Sequence, residues 1–259
     1  MNITFASTTN QGIRDSNQDC IGEVVGDRSA CFVVCDGIAG IPGGDVAAKI
    51  ACDTLIQHFK GEDHLDAQHI PQHIGRANQA ILNAQRQNDA LKNMGTTLVS
   101  LFIDRDYRLS YWAHAGDSRL YAFRRGYLIE HTRDHSLVQQ MKDAGYQTQG
   151  VNSNLLYFAL GMNEQREASY SDVLALEDGD VFLLCTDGFW HDLSTDEMEQ
   201  TLRMVNSPRE WLVLMLEILK RSEKKDNFSA VAVWVGNPQD TTLLHSLSNA
   251  QRILFAPEK

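Results

Sequence analysis

The stretch FVVCDG, residues 32–37, places Asp-Gly directly after a short apolar run, and FLLCTDG, residues 182–188, repeats the pattern. Short continuous apolar runs that end in turn residues are typical of buried β-strands. A third apolar run, FSAVAVWV at 228–235, is preceded by Asp226 and Asn227. The three segments therefore predict three buried strands, each with a carboxylate at one end.

The positions of these carboxylates favour a metal site. In an antiparallel sheet the exit of one strand lies beside the entrance of its neighbour, so Asp36, Asp187 and Asp226 are expected to meet at one sheet edge. Carboxylates gathered without a local Lys or His need a cation, and hard oxygen ligands suit Mg²⁺ or Mn²⁺. Asp-Gly also marks ordinary turns. Residue types and spacing alone leave both interpretations open.

Several helices are interleaved with the strands. Apolar spacing predicts amphipathic helices over 46–59 and 71–87, and a C-terminal helix over 240–255. Two further helices are predicted to begin at Ser194 and Ser207, because each serine is followed three residues later by Glu, as in a capping box.

The remaining strands complete the fold prediction. Apolar patterns indicate strands at 96–103, 108–115 and 120–123, with Gly116-Asp117-Ser118 as a hairpin turn that carries a fourth aspartate. Short strands in hairpins with helix pairs between them predict an α+β sandwich, in which helices cover antiparallel sheets. The order lacks the alternation of strand and helix that a Rossmann fold requires.

Composition restricts the class of protein. The 259 residues carry 23 Lys plus Arg against 34 Asp plus Glu, a net charge of −11 that disfavours a nucleic-acid or anionic-membrane binder. No apolar run approaches the roughly 20 residues of a transmembrane helix. The five cysteines form no CxxC pair, which predicts reduced thiols in a cytoplasmic protein. The acidic surplus fits either a solvated surface or metal ligands.

Seven short motifs resemble, in their order, the metal-dependent protein phosphatases of type 2C (PPM), especially the short bacterial single-domain members. They are RDSNQD (14–19), VCDGIAGIPGG (34–44), GTT (95–97), AGDSRLY (115–121), TRDHS (132–136), LCTDG (184–188) and DNFSAV (226–231). The resemblance implies a central antiparallel β-sandwich flanked by helix pairs, in α-β-β-α layers. It implies a catalytic domain over 1–236 with a flap at about 134–161, followed by a C-terminal helical extension at 237–259.

The resemblance also assigns metal ligands. It implies that Asp36 bridges two Mn²⁺ or Mg²⁺ ions, that the carbonyl of Gly37 binds one of them, and that Asp187 and Asp226 hold the other. Asp117, together with Asp187, matches the site of a third, weaker metal.

Three further residues acquire roles from the same resemblance. Arg14 matches the arginine that binds the substrate phosphate. Asp19 matches an acid that contacts metal-bound water, and Asn227 matches a residue that supports the site. The implied activity is hydrolysis of phosphoserine and phosphothreonine in proteins by a metal-activated hydroxide, opposing a cognate Ser/Thr kinase. The implied enzyme is a monomer whose partners are phosphorylated proteins.

The chain departs from the motifs at a few positions, none of them a proposed metal ligand, and two alternatives to this interpretation stay open. Ile38 stands where relatives carry His or Met and has no proton to give, and Gln18 stands where many carry Glu. The segment before Gly161 lacks an Arg that relatives often place in the flap. The alternatives are a catalytically weak or dead module that binds phosphoproteins, and a phosphatase that acts on an anti-sigma-factor antagonist.

Overall fold

The apolar runs of the sequence form the strands of two antiparallel sheets, in a computed structural model that describes residues 1–60, 65–162, 166–221, 226–238 and 241. The strands are β1 (Ile3–Asn10), β2 (Asp19–Val25), β3 (Ser29–Asp36), β4 (Leu98–Asp104), β5 (Leu109–Ala115), β6 (Arg119–Arg124), β7 (Tyr127–His131), β8 (Ser169–Tyr170), β9 (Leu174–Ala175), β10 (Val181–Cys185) and β11 (Phe228–Val235). The helices are α1 (Gly44–Lys60), α2 (Ile70–Gln87), α3 (Leu137–Asp143), α4 (Asp187–Trp190), α5 (Thr195–Leu202) and α6 (Pro208–Leu219).

The two sheets stack face to face between layers of helices. One sheet has the order β1-β11-β10-β6-β7, and the other has the order β2-β3-β4-β5-β8, with β9 also paired to β5. One apolar core lies between the sheets, a second includes residues of α1 and α2, and a third includes residues of α5 and α6. The predicted α+β sandwich with helices outside antiparallel sheets is confirmed.

The burial of strand β3 explains why its sequence is an unbroken apolar run. Cys31, Val33 and Cys35 belong to the core beneath α1, whereas Phe32 and Val34 belong to the core between the sheets. Side chains alternate between the two faces of a strand, so a strand covered on both faces is apolar at every position. The cysteines are free, and those of β3 are fully buried.

The two predicted capping boxes differ in the structure. At the start of α5, Ser194 Oγ accepts from Glu197 N, and the Glu197 carboxylate accepts from Ser194 N, which completes the box. At the start of α6, Ser207 Oγ accepts from the backbone N–H of Glu210, but the Glu210 carboxylate accepts from Asn206 N. The prediction is confirmed for the first helix and wrong for the returning bond of the second.

The segment Gly116-Asp117-Ser118 is not a hairpin turn. It joins β5 of one sheet to β6 of the other, so it crosses between the layers. Gly116 has φ +96°, and a Cβ at this position would lie 2.7 Å from the side chain of Thr97. The prediction was wrong because alternating burial looks the same in a hairpin and in a strand that changes sheets. The crossing brings Asp117 to the end of the sandwich.

The C-terminal helix expected over 240–255 lies outside the described residues, apart from Thr241. The extension at 237–259 and the domain boundary at 236 therefore remain predictions. The predicted flap at about 134–161 contains α3, is closed on itself by a bridge between Ser136 and Leu156, and contacts the segment before β4 through a bridge between Leu160 and Thr96. None of the helices described here is long and apolar enough to span a bilayer.

Candidate metal centre

Four of the five predicted aspartates line one cavity of about 340 Å³ at the end of the sandwich, whereas Asp19 does not line it. Asp36, Asp117, Asp187 and Asp226 all face it, and Arg14 lies on the same wall. The expectation of a single sheet edge was wrong. Asp187 and Asp226 do flank the antiparallel neighbours β10 and β11, but Asp36 ends β3 in the other sheet. The site therefore lies between the two sheets.

The GTT motif fixes the backbone of Asp36. Thr97 Oγ1 accepts from the Asp36 N–H at 2.9 Å, and Thr96 Oγ1 donates to the Asp36 carbonyl at 2.9 Å. Gly37, the next residue, lies against the start of α1. A Cβ on Gly37 would be 2.3 Å from the carbonyl carbon of Gly44. Only glycine allows this close approach of the two backbones. The predicted carbonyl ligand is thus in a rigid position beside the cavity.

A second set of contacts joins the other two carboxylate segments. Thr186 N donates to Ser229 O at 3.0 Å, and Ser229 N donates to Thr186 Oγ1 at 3.0 Å. A Cβ on Gly188 would lie 2.1 Å from the carbonyl oxygen of Asn227. The Asp-Gly of one segment and the Asp-Asn of the other therefore pack directly on each other, and their carboxylates are held at the same wall.

The carboxylates oppose one another electrostatically. Burial, aided by repulsion from Asp187, raises the pKa of Asp117 to about 8. Burial also raises the pKa of Asp36 well above its usual range, with Asp19 and Asp187 adding to the effect. Burial raises the pKa of Asp187 as well, and repulsion from Asp226 adds to the effect, so these neighbouring acids disfavour one another's charged form. A divalent cation relieves this conflict, and a set of carboxylate oxygens is the donor set that Mg²⁺ and Mn²⁺ prefer.

Asp19 lies beside Asp36 in the β2–β3 register. Its Oδ2 accepts from Thr186 Oγ1 at 3.1 Å, whereas its Oδ1 is buried without a hydrogen-bond partner. Burial raises the pKa of Asp19 to about 7. A buried oxygen without a partner is costly unless water or an ion satisfies it. This orphaned acceptor therefore fits the predicted role of an acid that contacts metal-bound water.

The site does not enclose an ion with side chains alone. Within the part of the chain that the structure describes, no three His, Cys, Asp or Glu side chains are grouped closely enough to hold a metal by themselves. The shared cavity instead leaves room for water and for the Gly37 carbonyl among the ligands. Mg²⁺ keeps several waters when proteins bind it, so an open carboxylate cavity suits this ion.

Arg14 lies at the mouth of the cavity. Its Nη2 donates to Asp226 Oδ2 at 2.6 Å, and its side chain is half exposed. This hydrogen bond raises the pKa of Arg14, with Asp187 and Asp36 adding to the effect. The guanidinium is therefore charged and close to the acids, where an incoming phosphate could share it with Asp226.

Asn227 holds the loop that carries Arg14. Its Nδ2 donates to Gln11 O at 2.8 Å and to Ser16 O at 2.9 Å, and its Oδ1 accepts from Gln18 N at 2.9 Å. These three bonds attach both ends of the loop between β1 and β2 to the segment of Asp226. The side chain is buried, which agrees with a supporting role.

The sequence reasoning missed a cluster that supports Asp117. Trp190 Nε1 donates to the Asp117 carbonyl at 2.9 Å, and the Arg119 guanidinium carbon lies 3.3 Å from the centre of the Trp190 ring. Arg119 also donates to both oxygens of Asp134, at 2.7 and 2.8 Å. Arg119 and Asp134 lie in two of the quoted motifs, but their pairing depends on chain folding that spacing does not reveal.

His135 organises the Gly116 turn. Its backbone N–H donates to the Gly116 carbonyl at 2.9 Å, and its Nδ1 accepts from the Gly116 N–H at 3.2 Å. The side chain of His114 stacks on it with ring centres 4.5 Å apart. Both histidines support the crossing between the sheets, and neither lines the cavity of the aspartates.

Comparison with known proteins agrees with this geometry. Residues 9–227 match the family model described as protein phosphatase 2C. The serine/threonine phosphatase stp of Listeria welshimeri is 31% identical over 244 residues, which cover 90% of each chain.

Solved structures give the same result. The catalytic domain of the serine/threonine protein phosphatase PstP, in complex with two manganese ions, is 26% identical with a TM-score of 0.79, covering 90% of this chain and 98% of that one. The serine/threonine phosphatase Stp1 from Staphylococcus aureus, at 22% identity, has the same fold, with a TM-score of 0.82 over 91% of this chain and 96% of that one. On its fold, its carboxylate cavity and the match over most of its length, this chain belongs to the protein phosphatase 2C family.

Proposed function

We propose that the chain hydrolyses phosphoserine and phosphothreonine in proteins, at the cavity between its two sheets and with the help of divalent metal ions. One observation carries this proposal. Asp36, Asp187 and Asp226 come from three separate segments to one wall, where Arg14 also lies. A divalent cation would offset the repulsion among these buried acids, and a cation beside an arginine attracts phosphate. The relatives named serine/threonine phosphatases support this assignment.

The metal assignment follows from the donors of the cavity. Asp36, at the end of β3, would contribute to two ions, one of them held also by the Gly37 carbonyl. Asp187 and Asp226 would hold the second ion, and Asp117 with Asp187 would hold a third, weaker one. Divalent ions in such a site supply Lewis acidity that activates water and neutralises the phosphoryl group. Oxygen donors accept Mn²⁺ or Mg²⁺, and the two manganese ions of PstP support a pair.

Arg14 positions the substrate phosphate in this proposal. Its planar guanidinium can bind two phosphate oxygens at once, which a lysine cannot do. The phosphate would share the Arg14 guanidinium with the Asp226 carboxylate, which would also serve as a metal ligand. Asp19 does not line the cavity but lies opposite Asp36 on the neighbouring strand, and its unpartnered Oδ1 would accept a hydrogen bond from water bound there. Ile38 lines the cavity but cannot protonate the leaving group, so the proton comes from water or from one of the cavity acids.

The biological setting follows from the same assignment. The substrates are phosphorylated proteins, and a cognate Ser/Thr kinase supplies them. Free cysteines without CxxC pairs are typical of a reducing compartment, which supports action in the cytoplasm. We propose that the enzyme acts as a monomer, since the cavity is built from one chain.

A metal-dependence assay tests the proposal. We expect hydrolysis of p-nitrophenyl phosphate and of a phosphothreonine peptide in Mn²⁺, loss of both in EDTA, and recovery when Mn²⁺ is restored. Hydrolysis that persists in EDTA would exclude the metal site as the catalytic centre. Tight peptide binding with no turnover at any metal concentration would indicate a phosphoprotein-binding module instead.

A further inference from the structure

Three of the five cysteines lie together where α1 packs on β2 and β3. Cys20 and Cys35 are direct partners in the β2–β3 register, and Cys52 comes from α1. Cys35 and Cys52 belong to the core beneath α1, and Cys20 packs against that core. Cys20 is half-buried, whereas the other four thiols of the chain are buried. The proposed hydrolysis of phosphate esters uses none of these thiols.

Helix α1 approaches β2 closely at this point because Gly22 has no side chain. Gly22 comes two residues after Cys20, so both lie on the same face of β2. A Cβ on Gly22 would be 2.5 Å from Cys52 Sγ and 2.7 Å from Ile56 Cγ1. The sulfur of Cys52 therefore rests on β2 itself, next to Cys20. A disulfide needs Cβ atoms about 3.5–4.5 Å apart, a separation that requires packing as close as this.

The strand register makes Cys35 the poorer partner for Cys20. Gly37 N donates to Gln18 O at 3.1 Å, and hydrogen-bonded pairs recur at every second residue of an antiparallel ladder. Cys20 and Cys35, two residues along each strand, are therefore also a hydrogen-bonded pair. Side chains of such a pair lie farther apart than those of a non-hydrogen-bonded pair. The geometry thus favours Cys52 over Cys35.

The surroundings also distinguish the attacking thiol from the one attacked. Interaction with the Cys52 thiol lowers the pKa of Cys20, and Lys49 adds to the effect against the opposing influence of burial. The same interaction, together with burial, raises the pKa of Cys52, and burial raises that of Cys35 well above its usual range. The thiolate is the reactive form of cysteine, so Cys20, the more accessible thiol, reacts first.

We infer that Cys20 and Cys52 form a disulfide when the protein meets hydrogen peroxide. The Cys20 sulfur attacks one peroxide oxygen, the O–O bond breaks, and the departing hydroxide takes the thiol proton as water, leaving a sulfenic acid on Cys20. The Cys52 sulfur then attacks the Cys20 sulfur, the S–O bond breaks, and the hydroxide leaves with the Cys52 proton as a second water. Two thiols lose two electrons, and one peroxide is reduced to two waters.

The disulfide would form beside the proposed metal centre. Asp19 directly precedes Cys20 and lies opposite Asp36. Two bonded sulfurs are about 2.05 Å apart, closer than any unbonded contact, so the bond draws β2 toward α1. Small displacements of groups that support a reaction lower its rate. We expect oxidised protein to hydrolyse p-nitrophenyl phosphate several-fold more slowly in Mn²⁺, with recovery in dithiothreitol. This consequence rests on the proposed function, whereas the disulfide itself does not.

Peptide mapping tests the disulfide without an activity assay. Cleavage after Lys and Arg places the three thiols on separate tryptic peptides, 15–28, 29–49 and 50–60. Metal-free protein is treated with peroxide, which catalase then removes. We expect peptide 15–28 linked to 50–60 with the loss of two hydrogens, release of both by dithiothreitol, and a fall in free thiols from five to three. A link to 29–49, sulfinic acid on Cys20 without a link, or five remaining thiols would each overturn the inference.

Variants separate the disulfide from other effects of peroxide. Cys52→Ala should abolish the linked peptide and leave a sulfenic acid on Cys20 that dimedone traps. Cys31→Ala is the matched control, because it removes a fully buried thiol from the same core, opposite Val24 instead of Cys20, and should leave the link unchanged.

The activity readout then distinguishes this inference from the function beneath it. Native protein and the Cys31→Ala variant should lose activity on oxidation, and Cys52→Ala should lose much less. Equal losses in all three proteins, or a full rate in linked native protein, would overturn the inhibitory role of the disulfide. Failure of the untreated protein to hydrolyse any phosphate ester in Mn²⁺ would overturn the phosphatase function, while the linked peptide would still establish the thiol pair.

Discussion

Asp36 and Asp187 illustrate, at the scale of single residues, how a catalytic site opposes the stability of its own fold. Burial raises the pKa of both carboxyls, and repulsion from Asp187 raises that of Asp36 further. Two adjacent buried carboxylates cannot both ionise without a cation. The residues proposed to bind metal therefore destabilise the metal-free protein at neutral pH, and substitutions that remove charge should separate stability from activity.

Asp187→Asn tests this separation. We expect kcat in saturating Mn²⁺ to fall by at least about 100-fold, as when a charge-stabilising group is removed from an active site. The Tm in EDTA should stay the same or rise, because the amide ends the repulsion with Asp36. Steady-state kinetics and circular dichroism melts measure the two effects. Full activity in the variant would show that Asp187 is not a metal ligand.

Arg14→Ala tests the phosphate contact. We expect KM for the phosphopeptide to rise about tenfold with little change in kcat, because Arg14 binds phosphate alike in the ground and transition states. Arg28→Ala is the matched control, since Arg28 forms an equally exposed ion pair, with Asp106 at 2.7 Å, outside the carboxylate cavity. An Arg14→Ala enzyme that matches this control in both constants would remove Arg14 from the site.

At the scale of elements, the sequence predicted where the strands lie better than it predicted which strands pair with one another. Runs such as 30–35 and 181–185 are apolar because both faces are covered, and the strands β3 and β10 follow from that alone. Whether two successive strands form a hairpin or enter different sheets depends on contacts between distant segments. The sequence alone could therefore not predict the crossing at Gly116–Ser118 or the position of Asp36 in the opposite sheet from Asp187 and Asp226.

Both ends of the short helix α4 contribute to the proposed metal centre. It begins at the proposed ligand Asp187 and ends at Trp190, whose indole N–H donates to the Asp117 carbonyl. Arg119 stacks on the Trp190 ring and holds Asp134. The helix thereby fixes Asp117 and Asp187 relative to each other, which is what a weak metal site between two acids requires.

Trp190→Phe should weaken that site. The ring remains for Arg119 to stack on, but the bond to the Asp117 carbonyl is lost, and we expect the weakest Mn²⁺ binding step to lose about tenfold in affinity. The electron paramagnetic resonance signal of free Mn²⁺ measures the binding directly. Trp211→Phe is the control, because it also loses an indole bond, to Met198 O at 3.1 Å, but in the core beside α5. Equal Mn²⁺ affinities in both variants would contradict the prediction.

For the whole molecule, the proposed metal centre explains part of the excess of acidic over basic residues. Five of the acids, Asp19, Asp36, Asp117, Asp187 and Asp226, belong to the proposed centre. The pKa of Asp117 is raised to about 8 and that of Asp19 to about 7. The folded chain thus binds protons that the unfolded chain releases, and stability becomes linked to pH.

We expect the free energy of unfolding of the metal-free protein to fall as the pH rises from about 6.5 to about 8, because the folded state holds more protons there. In this window the buried His135, with its pKa lowered to about 4, is neutral when folded and adds little. Urea denaturation in EDTA measures the slope, which Asp117→Asn should reduce and saturating Mn²⁺ should abolish. A flat or rising profile in EDTA would contradict the pKa of Asp117.

The pairing of β1 with β11 has a consequence for the way the protein is made. β1 pairs along its whole length with β11, and β11 directly follows Asp226. On the ribosome, β1 emerges long before its partner β11, and the carboxylate cavity stays incomplete until residues 226–235 have been synthesised. A chain that ends before residue 226 therefore lacks Asp226 and has an incomplete phosphatase centre. The topology delays activity until translation of the fold is complete, which spares the cell from fragments that would erase phosphorylation signals.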